Sequence, residues 1–250
     1  MQEKSWELSK KAEKIILDRV KDRLVDVVYR EDDADEFARI ARERLGLFYE
    51  NLVFAALDLG VKKGRALDMG TQFGLCAISL AKQHYDFDIT SFQDSVRFTK
   101  SSCSFAEEDM VDERIEWVMG KHESLPFGDG SFDLIVSGFD MHHWENPVQV
   151  MSEIGRVLKA NGVLLIADFR RDAFSPVVPV LKAISYLDRK HKIYDEMRHS
   201  FAASYLKSEV LELLACSGLA GCEVSNDAQF FYVRKAKKTK KHVMAEFSNR

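Results

Sequence analysis

From residue 1 to residue 62 apolar positions recur at helical spacing between charged ones. Ile15, Ile16, Val20, Leu24, Val27 and Val28 form one apolar stripe and predict an amphipathic helix. The acidic run Glu31-Asp32-Asp33-Ala34-Asp35 reads as an interhelical turn leading into a second helix. A third helix carries Leu47, Phe48, Leu52, Val53, Phe54 and Leu57 and stops at Gly60, placed as a C′ glycine.

From Arg65 the texture changes, and short apolar runs alternate with helix-length stretches. Strands are predicted at 66–69, 87–92, 115–119, 132–137 and 163–168, with helices at 74–84, 94–108 and 147–159. That alternation implies βαβ units and a mainly parallel sheet with helices on both faces. Asn161-Gly162 marks a turn just before the fifth strand. Residues 171–204, punctuated by Pro176 and Pro179, break the rhythm and read as a lid-like insertion over the carboxyl ends of the strands. A helix at 205–217 and an antiparallel pair at 221–225 and 229–233 close the sheet. The expected division is a helical cap (1–62), an α/β domain (63–236) containing the insertion, and a basic tail (237–250).

Composition narrows the class. Hydrophobic residues make up 46%, charged residues 30%, and the formal net charge is −4, the profile of a soluble globular protein. Mild acidity argues against a chain that coats nucleic acid. No apolar stretch is long enough to span a bilayer. The start, Met1-Gln2-Glu3-Lys4-Ser5-Trp6, lacks the apolar run of a signal peptide, so the expected location is cytoplasmic. Cys76, Cys103, Cys216 and Cys222 form no C-x-x-C pair and read as reduced, mostly buried thiols.

The most informative stretch is Leu67-Asp68-Met69-Gly70-Thr71-Gln72-Phe73-Gly74, where the first strand turns into the first helix of the sheet. Glycines there let a ligand approach the backbone, and free N–H groups at the helix start favour an anionic group. The spacing is G-x-x-x-G, so a nicotinamide cofactor is disfavoured. D-x-G-T-x-x-G resembles the first motif of class I S-adenosylmethionine-dependent methyltransferases. A longer match follows in Leu125-Pro126-Phe127-Gly128-Asp129-Gly130-Ser131-Phe132-Asp133, in His142-His143-Trp144, and in Glu153-Ile154-Gly155-Arg156-Val157-Leu158-Lys159. This run resembles the branch related to ubiquinone and menaquinone biosynthesis methyltransferases. The resemblance covers about residues 60–236 and implies a Rossmann-like, doubly wound, seven-stranded α/β sheet (the class I methyltransferase fold) with one antiparallel strand near an edge, here under a helical N-terminal cap.

The resemblance also implies a cofactor, S-adenosylmethionine (product S-adenosylhomocysteine), and a small or medium-sized methyl acceptor. The cofactor's methionine carboxylate would rest near Asp68, Gly70, Thr71 and Gly74. Three positions depart from the family pattern. Gln72 stands where a glycine is common, and Gln93 replaces the acid that grips the ribose hydroxyls, with Asp94 next door as a substitute. Lys121 stands where an aspartate accepts from the adenine amine, and His122 follows with its backbone N–H. Each departure removes a contact worth on the order of 1 kcal/mol, which leaves a second reading, a non-catalytic binding or scaffold protein.

Methyl transfer asks the protein mainly to align a nucleophile, exclude water and sometimes accept a proton. Asp140, His142 and His143, just beyond the fourth strand, are the catalytic candidates, with either histidine as a base. Adjacent histidines chelate one ion awkwardly, so no metal site is assigned to them. Arg170 and Arg171 suit an anionic substrate group or solvent, and Tyr186, Tyr194, Phe201 and Tyr205 suit a lid or core packing. The run from Arg234 to His242 holds six lysines and arginines and reads as a solvated terminus rather than a contact for lipid or nucleic acid. The helical N-terminus could pack on its own domain or on a second subunit of a homodimer.

Overall fold

The structure is a computed structural model and describes residues 2–19, 31–173 and 200–237. Its sheet contains β1 (Gly64–Met69), β2 (Phe87–Gln93), β3 (Ile115–Met119), β4 (Phe132–Gly138), β5 (Leu158–Phe169), β6 (Glu223–Asn226) and β7 (Phe230–Lys235), in the order β3-β2-β1-β4-β5-β7-β6. Every neighbouring pair is parallel except those of β7, which runs antiparallel to both β5 and β6. Among the described residues the helices are α1 (Gln2–Asp18), α2 (Glu31–Asp58), α3 (Leu75–Gln83), α4 (Val96–Glu108), α5 (Pro147–Val157) and α6 (Lys207–Ala215). This is the doubly wound seven-stranded sheet that the sequence predicts.

Two-sided burial explains why the central strands are continuous apolar runs. On β5, Val163, Leu165 and Ala167 face the core under α2, α3 and α4, whereas Leu164 and Ile166 face the core shared with α1, α5 and α6. Strand order reverses between β1 and β4, whose carboxyl ends lie side by side with Asp68 opposite Val136. A sheet of this kind opens its ligand crevice at that reversal.

Several local expectations change. Residues 31–58 form one helix, so the acidic run occupies the first turn of α2 instead of a loop. Acidic residues suit a helix N-terminus as well as they suit a turn. Asn161-Gly162 lies inside β5, where the register to β4 shifts between the Phe132 and Leu134 pairings. Arg234 and Lys235 belong to β7, so the basic tail begins later than its charge suggests. Val20, Leu24, Val27 and Val28, most of the 171–204 insertion with Pro176, Pro179, Tyr186 and Tyr194, and residues 238–250 lie outside the described residues. Tyr205 is buried and Phe201 lies 4.4 Å from Phe169, both as core packing. The N-terminal helix packs on its own chain, where Ala12 is buried and Lys11 lies 3.9 Å from Glu212 of α6. All four cysteines are free, with only Cys76 fully buried. No described helix is long and apolar enough to cross a membrane.

The longer sequence match has a structural cause. Arg156 on α5 grips Glu153 through Nε (2.8 Å) and Nη2 (2.7 Å), and donates to the carbonyls of Phe127 (2.7 Å) and Leu125 (3.0 Å). Glu153 in turn accepts the N–H of Leu125 at 2.9 Å. The Glu153–Arg156 pair therefore pins the loop entering β4 and does no chemistry. Replacing Arg156→Leu is expected to cost about 2 kcal/mol in urea unfolding, because several backbone and carboxylate partners lose a charged donor. Arg156→Lys should recover only part of it, since an ammonium cannot fork; full recovery by Lys would refute the forked latch.

Candidate functional site

The loop after β1 is held by Asp68. Its buried carboxylate accepts Thr71 Oγ1 at 2.5 Å and the Ala77 N–H of α3 at 2.8 Å. Burial outweighs these bonds and pushes its pKa up to about 7. Gly70 (φ +67°) and Gly74 (φ +61°) have left-handed backbones. A Cβ on Gly74 would lie 2.7 Å from the Trp117 ring, so glycine is required there for space as well as for conformation. Phe73 adopts φ +64° without being glycine, a strained backbone held by its ring packing edge-on against Phe98 and Phe105.

The ends of β2 and β3 supply a second group. Gln93 is buried, and its Nε2 donates to the Thr71 carbonyl and to Ser91 Oγ, both at 3.2 Å. It braces the glycine loop from within, whereas Asp94 is exposed, as a side chain reaching a ligand would be. His122 is a buried ring set edge-on to Phe92, with Nδ1 3.7 Å from Asp94 and Nε2 3.5 Å from Asp140. Burial lowers the His122 pKa and keeps the ring neutral. Lys121 is exposed and pairs by backbone with Ser124, apart from this group.

Asp140 is buried directly against Gly70: a Cβ on that glycine would lie 2.1 Å from Oδ2 and 2.5 Å from Oδ1. The indole Nε1–H of Trp144 donates to Oδ2 at 2.5 Å. Burial, then the nearby Asp94, raises the Asp140 pKa well above the carboxylate range. Tyr49 of α2 brings a buried hydroxyl without a hydrogen-bond partner toward the same carboxylates, and burial raises its pKa too.

The third group lies on β5 and the turn after β4. His142 Nδ1 is 2.8 Å from Asp168 Oδ1, and the His142 backbone N–H donates to Asp168 Oδ2 at 2.9 Å. A third donor, the Phe169 N–H, reaches Asp168 Oδ1 at 2.7 Å. A carboxylate so placed fixes the proton on Nδ1 and leaves Nε2 as the basic nitrogen. His143 packs on His142 with ring centroids 4.0 Å apart, and its pKa is held well down by burial and by His142. Phe139, at φ +56°, stacks between Phe48 (4.3 Å) and Phe169 (4.4 Å), and Phe230 joins them.

Thus Asp68, Gly70, Thr71, Gly74, Gln93, Asp94, His122, Asp140, His142 and His143 gather at the carboxyl ends of β1, β2, β3 and β4, and Lys121 stands outside. Arg170 pairs with Asp172 at 3.0 Å, and Arg171 with Glu209 and the Ser204 carbonyl, so both are spent on structure. Sequence reasoning missed Asp168 and Tyr49. Asp168 left one signal, an acid closing the apolar run Val163-Leu164-Leu165-Ile166-Ala167.

Titration of Asp68 is testable. A pKa near 7, above the ordinary aspartate value of 3.8, means the folded chain holds this proton more tightly than the unfolded chain. Its stabilising contribution is full below about pH 4 and is lost as pH rises through 7. Asp68→Asn keeps an acceptor oxygen and removes the titration. Its stability in urea is expected to vary less between pH 4 and pH 8 than wild type, by roughly 4 kcal/mol. Parallel pH curves for the two proteins would contradict the assignment.

Comparisons with known proteins fall on this site. Residues 67–166, from β1 to β5, match the family profile described as a methyltransferase domain. The uncharacterized methyltransferase YcgJ of Bacillus subtilis is 32% identical over 126 residues, 50% of this chain and 47% of that protein. The ubiquinone/menaquinone biosynthesis C-methyltransferase UbiE of Geobacter sp. (strain M21) is 27% identical over 164 residues, 64% of this chain and 68% of that one. The chain spans about half the length of the curated relatives it matches. Among solved structures, a SAM-dependent methyltransferase from Aquifex aeolicus superposes with a TM-score of 0.58 at 20% identity, covering 82% of this chain and 97% of that one. Residues 67–166 therefore carry the likeness to a methyltransferase domain, and the fold built around them is that of the class I S-adenosylmethionine-dependent methyltransferases.

Proposed function

We propose that this protein binds S-adenosylmethionine and transfers its methyl group to a small or medium-sized acceptor. The observation that carries the reading is the floor at Gly70. Asp68 and Asp140 are both buried there, and among the described residues no lysine or arginine pairs with either. Carboxylates buried without a cationic partner are costly, and a cationic ligand relieves that cost. S-adenosylmethionine carries a sulfonium and an ammonium, so the residues present fit it. The loop Gly70–Gly74 would hold its amino-acid end, Asp94 its ribose, and His122 the side of its base. Gln93 takes no part in ribose binding in this reading, because its amide is turned into the loop. The scaffold alternative loses its main support, since Asp94 supplies the acid that Gln93 lacks.

When bound, the cofactor supplies an activated methyl whose S–C bond breaks with its electron pair to sulfur as the acceptor's bond to carbon forms, leaving S-adenosylhomocysteine. His142 takes the acceptor's proton at Nε2, and Asp168 holds the ring and stabilises the imidazolium through Nδ1. His143, kept neutral, packs against the base and limits water around it. Phe139, Phe169 and Phe230 form an aromatic wall near His142, with the Phe169 ring 5.9 Å away. Such a wall suits a planar or apolar acceptor, in keeping with relatives named for quinone methylation.

The test pairs binding with transfer. S-adenosylhomocysteine is expected to bind the purified chain in calorimetry. Methyl-labelled cofactor is then offered with a panel of small phenols and hydroquinones. His142→Asn and Asp168→Asn should each lower label transfer about 100-fold or more with product binding retained. Absence of binding at millimolar concentration would remove the cofactor from this reading. Transfer indifferent to His142 would remove the base.

A further inference from the structure

We infer that Asp140 is the anchor for the ammonium group of the cofactor's amino-acid end, a role taken by its side-chain carboxylate against Gly70. The inference rests on the cofactor reading above and gives Asp140 a different task from acceptor chemistry. The sequence expectation placed the methionine carboxylate beside this loop. At Gly70 the structure puts an acid there instead, so the spot suits a cationic group, which draws out the ionised form of that acid, better than an anionic one.

Three observations carry the assignment. Asp140 fills the place a side chain on Gly70 would take, with all three carboxyl atoms within 2.5 Å of the Cβ position. It is therefore part of the loop's floor. Its side chain is only 7% exposed, and among the described residues the direct donor to it is the Trp144 indole. Finally, His122 is 6% exposed and turns toward Asp140 a buried Nε2 that makes no hydrogen bond. With one indole N–H and one unpartnered ring nitrogen beside it, the ionised form of Asp140 is short of donors.

The groups facing Asp140 are almost all acidic or neutral. They are Asp68 on β1, Asp94 after β2, neutral His122 after β3, Asp168 on β5 and the Tyr49 phenol on α2. No element brings a lysine or arginine against it among the described residues. Desolvation and these like charges favour the protonated acid in the free protein. An arriving ammonium reverses that preference, so binding is coupled to loss of the Asp140 proton. Trp144 keeps the carboxylate aimed while it ionises, since an indole N–H donates to either protonation state's free oxygen.

The experiment compares S-adenosylhomocysteine with 5′-methylthioadenosine, which keeps the adenosyl thioether and lacks the amino acid. Calorimetry near pH 7 is run in phosphate and in Tris, whose ionisation heats differ, so that proton release is read from the difference. In wild type, the homocysteine compound is expected to release a proton on binding and methylthioadenosine to release none. Asp140→Asn should weaken the first ligand about tenfold or more, abolish its proton release, and leave the second within about twofold. Retained methylthioadenosine binding shows that the variant is folded, and the wild-type proton count needs no variant at all. Equal proton release from both ligands, or an unchanged affinity of Asp140→Asn for the homocysteine compound, would falsify the anchor while leaving the cofactor reading intact. Wild type binding neither ligand overturns both.

Discussion

Asp68 is the constraint on which the site depends. One carboxylate at the end of β1 receives the Thr71 hydroxyl from the loop and the Ala77 N–H from α3, so strand, loop and helix are held by a single group. With the loop fixed, Gly70 and Gly74 keep left-handed backbones, and Phe73 is forced into one as well. Gln93 completes the brace from the neighbouring strand by donating to the Thr71 carbonyl. Gln93 is thereby spent on loop geometry, which is why the proposed reading gives the ribose to Asp94, one position along.

The same end of the sheet concentrates acidic groups. Asp68, Asp140 and Asp168 stand on β1, after β4 and on β5, and each is answered differently. Backbone and hydroxyl donors answer Asp68, an indole answers Asp140, and an imidazole with two backbone N–H groups answers Asp168. Among the described residues Asp140 has the fewest donors of the three. The imbalance between Asp140 and Asp168 is what the proposed reading uses, giving the under-donated acid to a cation and the fully bonded one to holding His142.

Much of this was legible in the sequence, for definite reasons. Strands buried on both faces read as short apolar runs, and β1, β2, β3 and β4 were found to within a residue or two of their ends. The glycine loop announced itself because positive φ and close approach both select glycine. Pairings across the sheet could not be read. His142 meets Asp168 across 26 residues of sequence, and Asp140 meets Gly70 across the β1–β4 junction. Period and propensity describe a strand's own faces and carry nothing about which side chain a distant turn will present. The acidic run at 31–35 misled for the opposite reason, since one local composition suits both a turn and the first turn of a helix.

The N-terminal segment shows that the matched domain does not build the site alone. Arg19 follows α1 and lies outside residues 67–166, yet its guanidinium donates to the carbonyls of His142 and Trp144, the latter at 2.8 Å, and to Ala203 at 3.2 Å. It also stacks over the Tyr205 ring at 4.7 Å. The two carbonyls belong to the turn that carries both the His142 ring and the Trp144 indole holding Asp140. A fork of fixed donors across that turn limits its rotation in a way an ammonium could not. From the other face, Tyr49 of α2 brings its hydroxyl to the same carboxylates. The helical cap thus braces the turn after β4 from one side and reaches the acids beside Gly70 from the other, so both ends of the candidate site depend on it.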